Sequence, residues 1–95
     1  MLVEPKKAGD IITLKLTSNE EIIGRFESTT DKHIIVNKPM VAIMHENGMG
    51  LMPYVMTVSP ETKIKINIIH VVVQEKTAKP IADEYIKNTS TIATI

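Results

Sequence analysis

Residues 10–37, DIITLKLTSNEEIIGRFESTTDKHIIVN, restrict the fold more than any other stretch of the chain. Ile12, Leu14 and Leu16 alternate with Thr13, Lys15 and Thr17. That period of two is the mark of a half-buried strand. Ser18-Asn19-Glu20 interrupts it, and asparagine tolerates the left-handed backbone of a tight hairpin. Apolar character resumes at Ile22, Ile23 and Phe26, with Gly24 among them. A glycine inside a strand marks a bulge, a sharp bend or a close backbone approach. Strands that bend sharply at one residue are what a small closed barrel needs. The stretch therefore predicts a compact all-β module.

The same residues resemble the first Sm motif of the Sm-like proteins, the family of the LSm proteins and bacterial Hfq. Leu16 matches the motif leucine, Asn19 the turn glycine, Gly24 the bend glycine and Phe26 the apolar residue beyond it. Asp31 matches the loop aspartate with one extra residue allowed; without the gap, Thr30 stands there. Taken whole, with Gly50-Leu51-Met52-Pro53 and a tail containing Tyr85, the chain is most similar to the Sm-like proteins of marine bacteriophages. The resemblance spans residues 10–74. It implies a small, strongly bent, five-stranded antiparallel barrel of the Sm-like or SH3-like kind, here with a C-terminal α-helix. Two departures stand out. Ile35 occupies the place of the family's nucleobase-pocket asparagine. Asn67-Ile68-Ile69-His70 replaces the Arg-Gly pair of the second motif, although His70 resembles the histidine of Hfq's Lys-His pair.

Within that frame residues 1–9 form an irregular segment, 10–76 the barrel, and 77–95 a helix and tail packed on it. Strands are expected at about 10–18, 20–28, 34–45, 51–58, 63–66 and 70–74. Pro39 breaks the third and implies an edge or a bulge. Asn47-Gly48 is a strong short hairpin signal. Lys79-Pro80 starts the helix, because proline suits a first helical turn. Ile81, Ala82, Tyr85, Ile86 and Thr89 share one helical face.

A chain of 95 residues carries one core and buries about 60–65% of its unfolded surface. Such a domain gains from association. Leu51, Met52, Tyr54, Val55, Met56 and Val58, and likewise Val71, Val72 and Val73, put apolar residues on both faces, as strands buried on both sides do. The resemblance implies that segments 51–58 and 70–74 pair between neighbouring subunits and close a homo-oligomeric ring. The alternative is that the helix covers one face and both segments are plain core. Met40, Met44, Met49, Met52 and Met56 fall in one window. Such clusters usually fill gaps in a core, and otherwise make adaptable interfaces.

Eleven basic residues balance eleven acidic ones, which argues against a general polyelectrolyte grip on nucleic acid but leaves room for a local patch. There is no cysteine, so disulfides and thiolate metal sites are excluded. No apolar run is long enough to span a membrane, and the N-terminus has no signal-peptide core. The expected location is the cytoplasm, that of the bacterial host for a phage-encoded protein. His33, His45 and His70 lack partners at metal-ligand spacing. No phosphate-binding glycine loop and no activated nucleophile are present. The expected protein is not an enzyme and has no cofactor or metal.

The resemblance places the nucleic-acid candidates in two loops. Lys32 would meet phosphate, His33 would stack on a base and Asn67 would hydrogen-bond a base edge, with His70 completing the set. One phenylalanine, two tyrosines and no tryptophan are a thin supply of stacking surfaces. Two functions follow: a ring that binds single-stranded nucleic acid, RNA before DNA, in phage RNA or DNA processing, or a structural or adaptor ring with protein partners only. Lys63, Lys65, Arg25 and Lys38 are scattered lysines and an arginine that read first as a solvated face and otherwise as an outer basic surface.

Overall fold

The computed structural model describes residues 6–93. The first five residues of the expected irregular segment and the last two of the tail lie outside them. Six strands are present, β1 (Ile11–Leu16), β2 (Glu21–Thr29), β3 (His33–His45), β4 (Gly48–Pro53), β5 (Lys63–Asn67) and β6 (Val71–Lys76). A single 3-10 turn, Ile68–His70, joins β5 to β6, and helix α1 spans Lys79–Ala93. Every strand pairing is antiparallel. The sheet order is β4-β3-β2-β1-β6, with β5 also paired to β3.

The long third strand organises this arrangement. Residues 33–37 pair with β5, and residues 40–45 pair with β4. β4 and β5 thus lie end to end along one side of β3. Six strands therefore appear, the number of segments read along the chain, where the resemblance implies five: the partner of β3 is interrupted by residues 54–62. It also corrects the expected fourth strand at 51–58. Only its first three residues are strand, and 54–58 belong to the connection. Pro53 closes the pairing opposite Met40, where a proline that cannot donate to a ladder is tolerated.

Local chemistry explains the turns. Asn19 adopts φ +82° between β1 and β2, and Gly48 adopts φ +116° after the Glu46-Asn47 turn. The bend falls where expected and involves two strands. Ile23 faces Met40 and Arg25 faces Asn37. Gly24 alone therefore opposes Lys38 and Pro39, which makes a β-bulge. Lys38 adopts φ +49° there. Gly24 permits the close approach, since a Cβ on it would stand 3.2 Å from Cβ of Val36.

Two cores lie on opposite faces of the bent sheet. Ile12, Leu14, Leu16, Ile22, Phe26, Ile34, Val36 and Ile66 fill the inside. They are the alternate residues of their strands, as the period of two requires. Outside, Ile23, Met40 and Tyr85 form a second cluster with Ile11, Ala42, Leu51 and Ile81 around them. Helix α1 contributes to this second core, and Tyr85 and Thr89 are buried among its residues up to Thr89. Of the five clustered methionines only Met40 is core. Met44 is 76% exposed and Met56 74%, and Met49 and Met52 are also exposed, so core filling is not their use.

Candidate nucleic-acid interface

The two loops singled out in the sequence meet at one end of the barrel. His33 and Asn67 are cross-strand partners at the start of β3 and the end of β5. Opposed residues of an antiparallel pair are about 4.5–5.5 Å apart at Cα. Next to them the Lys32 carbonyl accepts a hydrogen bond from the Ile68 amide at 2.9 Å. The 30–33 loop is shaped by Thr30. Its hydroxyl accepts from the amides of Lys32 (3.2 Å) and His33 (2.9 Å), and its own amide donates to the His33 carbonyl at 2.8 Å. Asn67 caps the 3-10 turn, with Oδ1 accepting from the Ile69 amide at 3.1 Å. Its NH2 group has no protein partner among the described residues.

His70 stands at the far end of that turn. Its carbonyl accepts from the Thr17 amide at 2.7 Å, and its Nδ1 lies 3.3 Å from the Thr17 hydroxyl. Lys32, His33 and Asn67 therefore form one group, and His70 is set apart against the β1–β2 turn. A surface cavity of about 440 Å³ joins Asn67 to His70. Leu16, Thr17, Tyr54 and Lys65 also line it.

Tyr54 and Lys65 were not singled out for this end of the barrel. Tyr54 was assigned to a strand interior, whereas it follows the end of β4. Its amide donates to the Pro39 carbonyl at 2.9 Å, and its ring packs against the inner core. An aromatic residue directly after a proline was the available signal. Its neighbour Asn67 is 13 residues away in sequence, so the pairing of β5 with β3 was needed to join them.

Among the described residues no group of three potential ligands is placed to hold a metal. No helix there is long and apolar enough to cross a membrane.

No protein-family model matches the chain, and no curated protein sequence matches it. A solved structure does. The fold is similar to that of a heptameric archaeal Sm protein, described for its implications for the eukaryotic snRNP core. The TM-score is 0.51 at 11% identity, over 75% of this chain and 90% of the archaeal one. The chain thus has an Sm-like fold: a small, bent antiparallel sheet, carrying a C-terminal helix.

Proposed function

We propose that the protein assembles into an Sm-like ring that binds single-stranded nucleic acid, RNA in preference to DNA. The observation that carries the binding site is the juxtaposition of His33 with Asn67, beside Lys32. A flat imidazole, an amide with a free NH2 group and an exposed ammonium suit a base face, a base edge and a phosphate respectively. His70 and Tyr54 extend the site along the adjoining cavity, and Tyr54 adds an aromatic ring. Repetition around a ring would raise affinity through effective concentration, even with weak individual sites. We infer no catalytic step and no cofactor.

The free strand edges support the ring. Among the described residues β6 pairs with β1 on one side only, and β4 and β5 pair only with β3. On β6, Val72 is 63% exposed and Val73 46%, and Ile69 just before it is 74% exposed. An uncovered apolar edge invites another strand. The archaeal Sm protein of like fold is itself heptameric. We place the seam between β6 of one subunit and the β4–β5 side of the next. Its main part shifts to β5 from the expected 51–58, because 54–58 is not strand. Placement in a phage pathway and in the host cytoplasm rests on the sequence resemblance alone. The competing reading, a ring that binds only proteins, draws on the exposed methionines of the β3–β4 hairpin.

Two experiments separate these readings. In light scattering at micromolar concentration, the wild type is expected at a multiple of its chain mass. Val72→Lys should shift it toward the monomer, because a charge would enter the seam without a partner. A monomeric wild type would sink the ring. For the ligand, uridine-rich and adenine-rich RNA and DNA oligomers are titrated against wild type and a Lys32→Ala/His33→Ala double variant. Wild-type binding should weaken with salt as counterions return to phosphate. The double variant should bind several-fold more weakly with its fold intact. Equal binding by both would move the site elsewhere, and no binding at all would favour the protein-adaptor ring.

A further inference from the structure

A second polar site lies away from the barrel end, on the outer face of the sheet. Arg25 on β2 faces Asn37 on β3, and Asn37 faces Lys63 on β5. The three stand in one row across three neighbouring strands. Strands are about 4.8 Å apart, so the two cations flank the amide. Lys38, turned out of the strand by its left-handed backbone at the bulge, joins them. Together they line a depression of about 350 Å³, with Glu61, Pro60 and Thr89 on its other walls.

The charges in this depression are arranged unequally. Glu27 accepts from Lys63 Nζ at 3.0 Å and from Asn37 Nδ2 at 2.7 Å. The Lys63 ammonium holds the Glu27 carboxyl below its ordinary range, so that pair is largely self-compensated. Arg25 and Lys38 have no carboxylate partner among the described residues. The Arg25 guanidinium makes only a long contact, 3.4 Å, to the Gly9 carbonyl. Glu61 on the opposite wall carries the remaining charge, which leaves one positive charge in excess on the Arg25–Lys38 side. A guanidinium fork and an ammonium on residues that line one hollow match the oxygens of a phosphate group.

We propose that the depression formed by Arg25, Lys38 and Lys63 around Asn37 is a phosphate-binding site. We further propose that its phosphate belongs to the backbone of the strand bound at His33 and Asn67; only this second part rests on the nucleic-acid reading above. Geometry links the two places. Alternation along β5 puts Lys63, Lys65 and Asn67 on one outward face. At about 3.3 Å per residue, Lys63 and Asn67 are about 13 Å apart. A stacked strand advances about 3.4 Å per phosphate, so about four nucleotides cover the distance, with Lys65 between. The site would hold phosphate without reading sequence, and the barrel end would contact bases.

The test uses an Arg25→Gln/Lys38→Gln double variant, which keeps the Lys63–Glu27 pair and leaves a donor near Gly9. Amide NMR shifts are followed while inorganic phosphate replaces chloride at constant ionic strength. In the wild type they should concentrate at Arg25, Asn37, Lys38 and Lys63, and they should vanish in the variant. An Arg25→Lys/Lys38→Arg variant should retain them. No shift at these residues, or equal shifts in the double variant, overturns the site. The source of the phosphate is read from salt-dependent oligomer binding. Loss of two contacts should lower the log–log slope by about 1.4, at about 0.7 per contact for a single strand. Phosphate shifts with an unchanged slope would overturn the backbone assignment and leave a site for free phosphate or a small phosphorylated molecule. Because Lys32 and His33 are untouched, this result is independent of the barrel-end variant.

Discussion

Replacing Tyr85 by phenylalanine should destabilise the protein by about 1–3 kcal/mol, the usual cost of leaving buried polar groups without a partner. Tyr85 is fully buried, and its hydroxyl shares one proton between the carbonyls of Asn37 (3.0 Å) and Lys38 (2.8 Å). Those carbonyls flank the β3 bulge, where the regular ladder is broken. The phenol thus fastens helix α1 to the most irregular point of the sheet. Tyr85→Ala should cost more, about 3–5 kcal/mol, because it also leaves a cavity the size of the ring. Chemical denaturation followed by circular dichroism measures both. A phenylalanine variant as stable as wild type would show that water serves the carbonyls equally well.

The same residue makes an alkaline prediction. Burial pushes the Tyr85 phenol up from 10.0 to about 12. The fold favours the protonated form, since a phenolate would be both desolvated and unable to donate. Its contribution is therefore complete below pH 10 and is lost as pH rises through about 12. Stability measured against pH should fall across that window in the wild type. In Tyr85→Phe this component of the decline should be absent.

Gly24→Val should destabilise the sheet by about 2–3 kcal/mol. The cause is space, not backbone conformation. A Cβ at Gly24 would meet Val36 Cβ at 3.2 Å, Val36 Cγ2 at 3.4 Å and the Asn37 carbonyl at 3.6 Å. A single methyl there asks β3 to yield by a few tenths of an ångström. Gly24→Ala also stiffens the unfolded chain, which offsets part of that strain, so its net change should stay within about 1 kcal/mol. Valine adds two further carbons and would push the strands apart at the bulge. Thermal melts of the three proteins should rank wild type close to alanine, with valine well below. A valine variant melting with the wild type would mean that β3 accommodates it freely.

Tyr85 and Gly24 act on the same spot from different directions, and they differ in how well the sequence announced them. Gly24 could be read as a bend because it interrupts an apolar run. Tyr85 was legible as part of a helical apolar face, but the target of its hydroxyl was not. That target exists only because two residues of β3 oppose one of β2. The methionines show the converse. Their clustering was plain, yet Met40 is core while Met44, Met49, Met52 and Met56 are exposed. Composition carries no information about which side of a hairpin faces solvent.

For the candidate interface, Lys32, His33, Asn67 and His70 were named from a resemblance. Tertiary structure brings the first three together and sets His70 against Thr17. Tyr54 and Lys65 join the adjoining cavity only through long-range pairing. Arg25, Lys38, Lys63 and Lys65 are recognisable in the sequence as basic residues, but their sharing of one surface depends on strand pairing. Nothing local indicated that Asn37 would stand between Arg25 and Lys63.

What the sequence determined by itself were the features set by neighbours along the chain. These are the alternation of β1, the left-handed turns at Asn19 and Gly48, the bulge at Pro39 and the helix start at Lys79-Pro80. Each depends on steric preferences within a few residues, which act the same way in any context. Tertiary structure decided where pairing stops within residues 48–67, the exposure of the methionines and the rows that cross the sheet. These depend on which residue of one strand faces which residue of another. A shift of one residue turns every side chain to the opposite face. That choice is made by the whole core at once, through the burial of Ile12, Leu14, Ile34 and Val36, and no local segment contains it.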